Sequence, residues 1–390
     1  MLLLDASHTS HTRAQTGIQR VVRSLFAELE KRGTVAPICF DPHERAWRTL
    51  DAGELARLRD RGGAAGSRGA KWTLAQKIAG HTRRLVGAKS TLPPARGLLV
   101  PELFGAQAGA QLETLFARAG GPRVAVFHDA IGLKFPELTP PATVARLPAY
   151  LAELAAFDGV AAVSEDSAAS LREWWQWSGV ARPPPVQAIA LGVGDSGVIR
   201  HFPSETSAPP RVLCVSTIEG RKNHAALLDA AETLWRDGLA FELELVGLPR
   251  ADTAAAALAR IAELQRAGRP LQAHGAVSDA ALRAAYARCA FTVYPSLIEG
   301  FGLPVLESLQ HGRPCVCSAH GALGEAARGG GTLALESVDA PALAEAMRRL
   351  LTEPTLATEL ATQARARKLR SWSDYASDLL GWMESLPRHD

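Results

Sequence analysis

Residues Phe291 to Ser318 read FTVYPSLIEGFGLPVLESLQHGRPCVCS. Phe291 to Tyr294 form a short apolar, β-branched and aromatic run that stops at Pro295, the pattern of a buried strand. A loop follows from Ser296 to Leu303, with Gly300 and Gly302 where the backbone turns tightly or approaches a ligand. Pro304 suits the first turn of a helix and Gly312 its C-terminal stop. Two glutamates, Glu299 and Glu307, therefore flank a glycine-containing loop that feeds a helix N-terminus. The positive end of that helix dipole faces whatever the loop holds. Such a site suits a ligand with an anionic part and several hydroxyls, which carboxylates bind by accepting hydrogen bonds. Each glutamate taken singly reads equally well as solvated or as a complement to the helix dipole.

The chain around this stretch has 390 residues, long for one core and suited to two domains. Apolar residues make up 47% and charged residues 21%, which excludes global disorder. The net charge of +3 excludes little. Five cysteines, an odd number set mostly in apolar runs, read as buried thiols in a reducing compartment. No Cys or His spacing suggests zinc, and no metal site is expected. The first residues, MLLLDASHTSH, lack the basic flank and apolar length of a signal peptide, and no run is long enough for a spanning helix.

In chain order, Met1 to Leu4 reads as a strand and Asp5 to Gln15 as a polar loop. TGIQRVVRSLFAELEKRG then makes an amphipathic helix, with Ile18, Val21, Val22, Leu25, Phe26 and Leu29 on one face. Thr16 is its expected N-cap, Gln19 would complete a capping box, and Gly33 stops it. Gly17 either lets a diphosphate approach that helix start or only relieves crowding. Val35 to Phe40 is a second strand.

Asp41 to Pro94 shows little apolar periodicity, and Gly62, Gly63, Gly66 and Gly69 mark part of it as a flexible loop. Basic residues crowd from Arg45 to Arg96. The composition leaves open a solvated insertion or a surface for anionic lipid head groups or a lipid diphosphate. Nucleic acid is not expected, since no recognition motif or aromatic platform accompanies the charge.

Strands are predicted at Gly97–Pro101, Val124–Phe127 and Val160–Ser164, a helix at Glu165–Gln176, and a strand with its exit loop at Ile189–Gly194. His128 and Asp129 follow a strand end, where α/β proteins place ligand contacts. Trp174, Trp175 and Trp177 read first as packing residues. The polar, proline-rich stretch GVIRHFPSETSAPPR, ending at Arg211, reads as a linker. The alternation then restarts. Arg211–Ser216 is a strand, Asn223 caps a helix, and Arg221 and Lys222 sit side by side at the strand-to-helix turn. Two adjacent cations there can neutralise a diphosphate. Further strands are expected at Phe241–Val246 and Pro314–Ser318, with a loop at Gly321–Glu325 and helices at Asp339–Leu351 and Trp372–Leu386.

Pro295, Ser296, Glu299, Gly300, Phe301, Gly302, Pro304 and Glu307 match every position of the PS-x-x-EGFG-x-P-x-x-E string of retaining glycosyltransferases of family 4, and the chain resembles that family. The TGIQRVVR and VFHDAIGLKFPE strings and the RKN turn resemble further segments of it, especially of enzymes that build bacterial O-antigens and exopolysaccharides. The resemblance implies a GT-B fold, two Rossmann-like α/β domains facing across a cleft. Residues 1–200 would hold the acceptor, residues 201–371 the nucleotide sugar, and 372–390 would be a helix crossing back to the first domain. It implies Arg221 and Lys222 on the diphosphate, Glu307 on the ribose, and Glu299 with Gly300, Phe301, Gly302 and Leu303 on the sugar. His128 would lie by the reacting carbon, and Asp129 would be an acceptor-side hydrogen-bond partner or weak base. Ser216, Thr217, Gly247, Gly275 and Val277 would line the nucleotide, with Gly17 near the diphosphate.

The implied reaction moves mannose, or a related deoxyhexose such as rhamnose, from a GDP- or UDP/dTDP-linked donor. The implied acceptor is a saccharide or lipid-linked saccharide, in the cytoplasm or on the inner face of the cell membrane, and no cofactor is expected. Two other readings are a nucleotide-sugar epimerase on two Rossmann domains and a non-catalytic sugar-nucleotide binding protein. A NAD-dependent oxidoreductase is disfavoured, since no strand leads into G-x-G-x-x-G.

Overall fold

A computed structural model describes residues 1–60, 69–87, 90–194, 209–250 and 253–387. These fall into two compact units, Met1–Gly192 with Ser371–Asp390, and Val193–Arg370. The expected linker lies largely outside the described residues, as do Gly62, Gly63 and Gly66.

In the first unit the elements run β1 (Leu2–Asp5), α1 (Gly17–Lys31), β2 (Val35–Asp41), β3 (Ala46–Thr49), α2 (Ala52–Arg59), α3 (Leu74–Leu85), β4 (Gly97–Val100), α4 (Ala106–Gly109), α5 (Leu112–Phe116), β5 (Arg123–Phe127), α6 (Ile131–Lys134), α7 (Pro141–Leu154), β6 (Gly159–Ala162), α8 (Glu165–Trp177) and β7 (Val186–Ala188). The sheet order is β3-β2-β1-β4-β5-β6-β7, parallel except for the antiparallel edge strand β3. Leu3, Leu98, Ala125 and Phe127 are buried on it, as continuous apolar strands covered by helices should be.

The second unit continues with β8 (Arg211–Val215), α9 (His224–Arg236), β9 (Glu242–Val246), α10 (Ala255–Arg266), β10 (Leu271–His274), α11 (Asp279–Arg288), β11 (Phe291–Tyr294), α12 (Leu303–Gln310), β12 (Cys315–Ser318), α13 (Gly321–Ala327), β13 (Thr332–Leu335), α14 (Ala340–Thr352) and α15 (Pro354–Ala366). Its six strands are all parallel, in the order β10-β9-β8-β11-β12-β13. The strand order reverses between β8 and β11, and that is where a doubly wound sheet opens a crevice at its carboxyl edge. The last helix, α16 (Trp372–Ser385), belongs to the first unit. Arg32, just past the end of α1, donates to the Ser373 carbonyl and to Ser377 Oγ, at 3.1 and 2.8 Å.

Several expectations are corrected. Asp41 to Pro94 contains β3, α2 and α3. It eluded an apolar reading because it buries polar groups instead: Arg48 bonds Asp41 and Glu54, His11 bonds Glu54, and Arg83 bonds Glu44. Arg48 and Arg83 are therefore partners in a charge network, not free surface cations. The strand assigned to Ile189–Gly194 lies earlier, at β7, and only the Ile189 N–H still bonds Ala162 across the sheet. Gly321–Glu325 is helical. Its glycines hid this, yet an added Cβ at Gly324 would come within 2.1 Å of the Ala319 carbonyl oxygen. Thr16 occupies the N-cap of α1, but its side chain caps no backbone N–H, so no capping box forms. Asn223 precedes α9 with φ +55° and caps nothing, because its amide donates to the Val338 carbonyl. The five cysteines are free and buried.

Candidate donor site at the carboxyl edge of the second sheet

β8 and β11 are the two central strands of the second unit, and their exit loops are clipped together. The Leu297 N–H donates to the Arg221 carbonyl at 2.9 Å, and Ser296 Oγ lies 3.2 Å from the same oxygen. The turn after β8 therefore carries Arg221 and Lys222 directly beneath the loop carrying Glu299. Arg221 Nη1 lies 2.8 Å from Glu299 Oε2, and Lys222 Nζ reaches Glu299 Oε1. Tyr294, the last residue of β11, links the same groups. Lys222 donates to its hydroxyl at 2.6 Å, and that hydroxyl donates to Glu299 Oε1 at 2.8 Å. Ser296 Oγ donates to the same carboxylate oxygen.

Burial alone would raise the Glu299 pKa, but Arg221, Lys222 and these donors overcome it and hold the carboxyl down to about 2. Arg221 also pairs with Glu219 at 2.8 Å, and Glu219 with Arg250 at 3.4 Å. Arg221, Lys222 and Arg250 thus gather with Glu219 and Glu299 at a sheet edge, an arrangement whose cationic donors can bind an entering oxyanion.

Glu307 is buried one turn along α12, where Tyr286 on α11 donates to its Oε2 at 3.3 Å and the Tyr286 ring stacks on His311. The structure thus brings Arg221, Lys222 and Glu299 into one bonded cluster and engages Glu307 elsewhere. Gly302 enters α12 with φ +106°, and no side chain caps that helix. Phe301 packs on the core that includes Leu306 and Leu323. Leu303 is buried at the helix start, and Gly300 is half-buried.

Among the remaining candidates, Ser216 Oγ lies 3.1 Å from His224 Nε2. Burial and then Lys222 push that imidazole down to about 4, so it is neutral. Thr217 is half-buried beside it in sequence. Gly247 has a structural reason: a Cβ there would fall 1.9 Å from the Ser216 carbonyl oxygen. Gly275 has room for a side chain, with Leu248 at 3.6 Å, and Val277 packs beside Leu213 and Tyr286.

In the first unit, Gly17 faces open space at the start of α1. His128 is buried and lies 2.8 Å from the Pro101 carbonyl. A carbonyl can only accept, so Nε2 carries the proton and Nδ1 the lone pair. Burial lowers this pKa against the pull of Pro101 and Asp129, which keeps the ring neutral. Its backbone carbonyl accepts from Ser167 Oγ at 2.9 Å, while Asp129 accepts from the Ile131 N–H at 3.0 Å.

Tyr294 and Glu102 were not singled out from the sequence. Glu102 follows β4, at the strand-order reversal of the first sheet, and accepts the N–H groups of His8 and Thr9 at 2.6 and 2.8 Å. The signal for both is position at a central strand end, which appears only once the strand order is known. No group of His, Cys, Asp and Glu able to hold a metal ion occurs among the described residues.

Residues 209–353 match the profile of the family described as Glycosyl transferases group 1. The serotype-specific mannosyltransferase WbdA of Escherichia coli is 29% identical over 348 residues, covering 81% of this chain. The chain spans only 38% of that relative's length. Among solved structures, a sucrose-phosphate synthase from Thermosynechococcus elongatus superposes with a TM-score of 0.69 at 19% identity, covering 98% of both chains. Anabaena Alr3699/HepE, solved with UDP-glucose, has a TM-score of 0.69 at 16% identity and covers 99% of both. On sequence and fold together, the chain has the GT-B type of fold, its second unit matches the Glycosyl transferases group 1 family over residues 209–353, and the chain is related to the mannosyltransferase WbdA.

Proposed function

We propose that the chain is a family 4 enzyme that transfers a hexosyl group, mannose or a related deoxyhexose such as rhamnose, from a nucleotide-diphosphate sugar with retention of configuration. Its acceptor is a saccharide or lipid-linked saccharide of a bacterial surface polysaccharide, met in the cytoplasm at the inner face of the membrane. The observation that carries this reading is the cluster of Arg221, Lys222 and Glu299 at the strand-order reversal between β8 and β11. Similarity to WbdA supports mannose. The UDP-glucose bound by the Anabaena neighbour leaves the base open.

In this reading the diphosphate displaces part of the Glu299 bonding and draws on the cations that Glu299 holds. Arg221 binds it as a fork and Lys222 as a point charge. Both then stabilise the charge that grows as the bond between sugar and phosphate breaks, a term of a few kcal/mol per well-placed donor. Glu299 fixes the two cations beforehand, so little reorganisation is needed at the moment of reaction. Glu307, held by Tyr286, takes the ribose hydroxyls. The departing phosphate accepts the acceptor's proton on the same face of the sugar. Neutral His128 presents a ring lone pair, with Asp129 adjacent, on the acceptor side.

Thermal shift against GDP-mannose, UDP-glucose, UDP-galactose and dTDP-rhamnose tests the donor. A ligand at a hundredfold its dissociation constant adds about 2.7 kcal/mol to stability. One donor should raise the melting temperature well above the rest, and Glu307→Ala should abolish that rise. Anomeric analysis of the product by NMR then decides retention. A shift that Glu307→Ala leaves intact counts against the ribose assignment.

A further inference from the structure

Helix α3 is amphipathic the wrong way round for a helix bathed in water. Its inward face is polar: Gln76 donates to Asp51 and Glu54 at 3.0 and 2.8 Å, and Arg83 to Glu44 at 2.6 Å. Gly80 lies against His43 so closely that an added Cβ would sit 2.8 Å from that side chain. The outward face is apolar. Leu74, Ile78 and Leu85 fall at i, i+4 and i+11, one stripe of a helix, and are 73%, 58% and 86% exposed. Val86, just past the helix end, is 70% exposed. These are four of the nine large apolar side chains that the described residues leave exposed, gathered within thirteen positions. Surface apolar residues scattered singly need no explanation, but a contiguous stripe does.

Charge narrows the identity of what covers it. From Arg61 to Pro101 the chain carries eight basic residues (Arg61, Arg68, Lys71, Lys77, Arg83, Arg84, Lys89 and Arg96) and no acidic one. The whole chain is near balance, with 43 basic and 40 acidic residues. Lys77 and Arg84 are exposed along one flank of the stripe, and Lys71 lies just ahead of the helix. An apolar stripe edged with cations and free of carboxylates is the composition of a helix lying in a bilayer interface, its stripe among the acyl chains and its cations at the head groups. A protein partner or a second copy would have to bring the whole countercharge itself, whereas an anionic lipid surface presents it continuously.

We propose that α3 docks this protein onto an anionic lipid bilayer, with Leu74, Ile78, Leu85 and Val86 inserted and Lys71, Lys77 and Arg84 at the head groups. The helix is fastened to the body by the Asp41–Glu44–Glu54 side of the charge network, so docking needs no unfolding. The inference is independent of which sugar is transferred. No helix among the described residues is long and apolar enough to cross a membrane, and an interfacial helix requires no such span.

The test is flotation of the full chain with vesicles of phosphatidylcholine alone and of phosphatidylcholine mixed with phosphatidylglycerol. Binding is expected to the mixed vesicles, weakening as salt rises. Ile78→Ser with Leu85→Ser should reduce partitioning more than about tenfold. Lys77→Gln with Arg84→Gln should reduce it by about fivefold per charge removed. Both pairs should melt at the temperature of the parent chain, because these side chains contact solvent. Failure to bind mixed vesicles, or binding unchanged by both pairs, overturns the proposal. So does a dimer in solution that dissociates on Ile78→Ser with Leu85→Ser while vesicle binding stays absent, which would assign the stripe to a second copy.

Discussion

Glu299 concentrates the energetics of the second unit in one carboxylate. It accepts from Arg221, Lys222, Tyr294 and Ser296 in a nearly dry setting. Removing one member of such a buried set leaves the others uncompensated, at a cost of about 3–5 kcal/mol. Glu299→Gln should therefore lower the melting temperature at pH 7 by many degrees, beyond any effect on donor binding. The carboxyl titrates near 2 in the folded chain and near 4.5 when unfolded. Its stabilisation is complete above 4.5 and fades as pH falls through 2, so parent and Gln variant should converge over that interval. A constant difference down to pH 2 would refute the assignment.

Asp5, at the end of β1, behaves in the opposite sense. Burial, then the neighbouring Glu102, raises its carboxyl to about 7, and its Oδ2 has no hydrogen-bond partner. The folded chain keeps this proton where the unfolded chain loses it, near 3.8, so stability declines from pH 4 to pH 7 on this account. Asp5→Asn mimics the protonated acid. It should melt higher than the parent at pH 8 and equally at pH 4, as read by circular dichroism. Neither shift was legible in the sequence, because each arises from neighbours far along the chain.

At the scale of elements, the second sheet depends on how closely its strand exits approach. Gly247, with φ +152°, lets the end of β9 touch the Ser216 carbonyl at the end of β8. Gly247→Ala would have to push two central strand exits apart and adopt a backbone that side chains avoid, a strain of about 1–3 kcal/mol before the clash is counted. We expect a loss of at least about 3 kcal/mol by denaturant titration, with Gly275→Ala near neutral because its space is open. Apolar runs announced β8, β9, β11 and β12 in the sequence. The elements between Asp41 and Pro94 were missed because they bury an ion network, which has no hydrophobic period. The capping boxes at Asp51–Glu54 and Thr73–Gln76 were the signals available there.

At the scale of the molecule, the chain returns at its end to the unit where it began. Tyr375, Leu379, Met383 and Leu386 are buried. Met383 lies near Gly97 on β4, and Trp382 near Gly159 on β6. Burial of each such apolar side chain contributes roughly 1.5–3 kcal/mol, and together they rival the 5–15 kcal/mol margin of a typical domain. A chain ending at Arg370 should lose the cooperative calorimetric transition of the first unit and keep that of the second. Unchanged transitions in both would show α16 to be dispensable.

The sequence by itself determined the fold class, the two-unit alternation and the positions of Arg221, Lys222, Glu299 and Glu307. Strand apolarity, glycine at tight turns and the spacing of the EGFG string are local properties that survive in one dimension. Tertiary structure alone decided which of those groups meet. It placed β8 beside β11, joined Arg221 and Lys222 to Glu299 through Tyr294, and engaged Glu307 with Tyr286 instead. It also decided that α3 turns its polar side inward. Partnership between residues dozens of positions apart is set by strand order and by the cost of burying charge unpaired, and neither is written in any single segment.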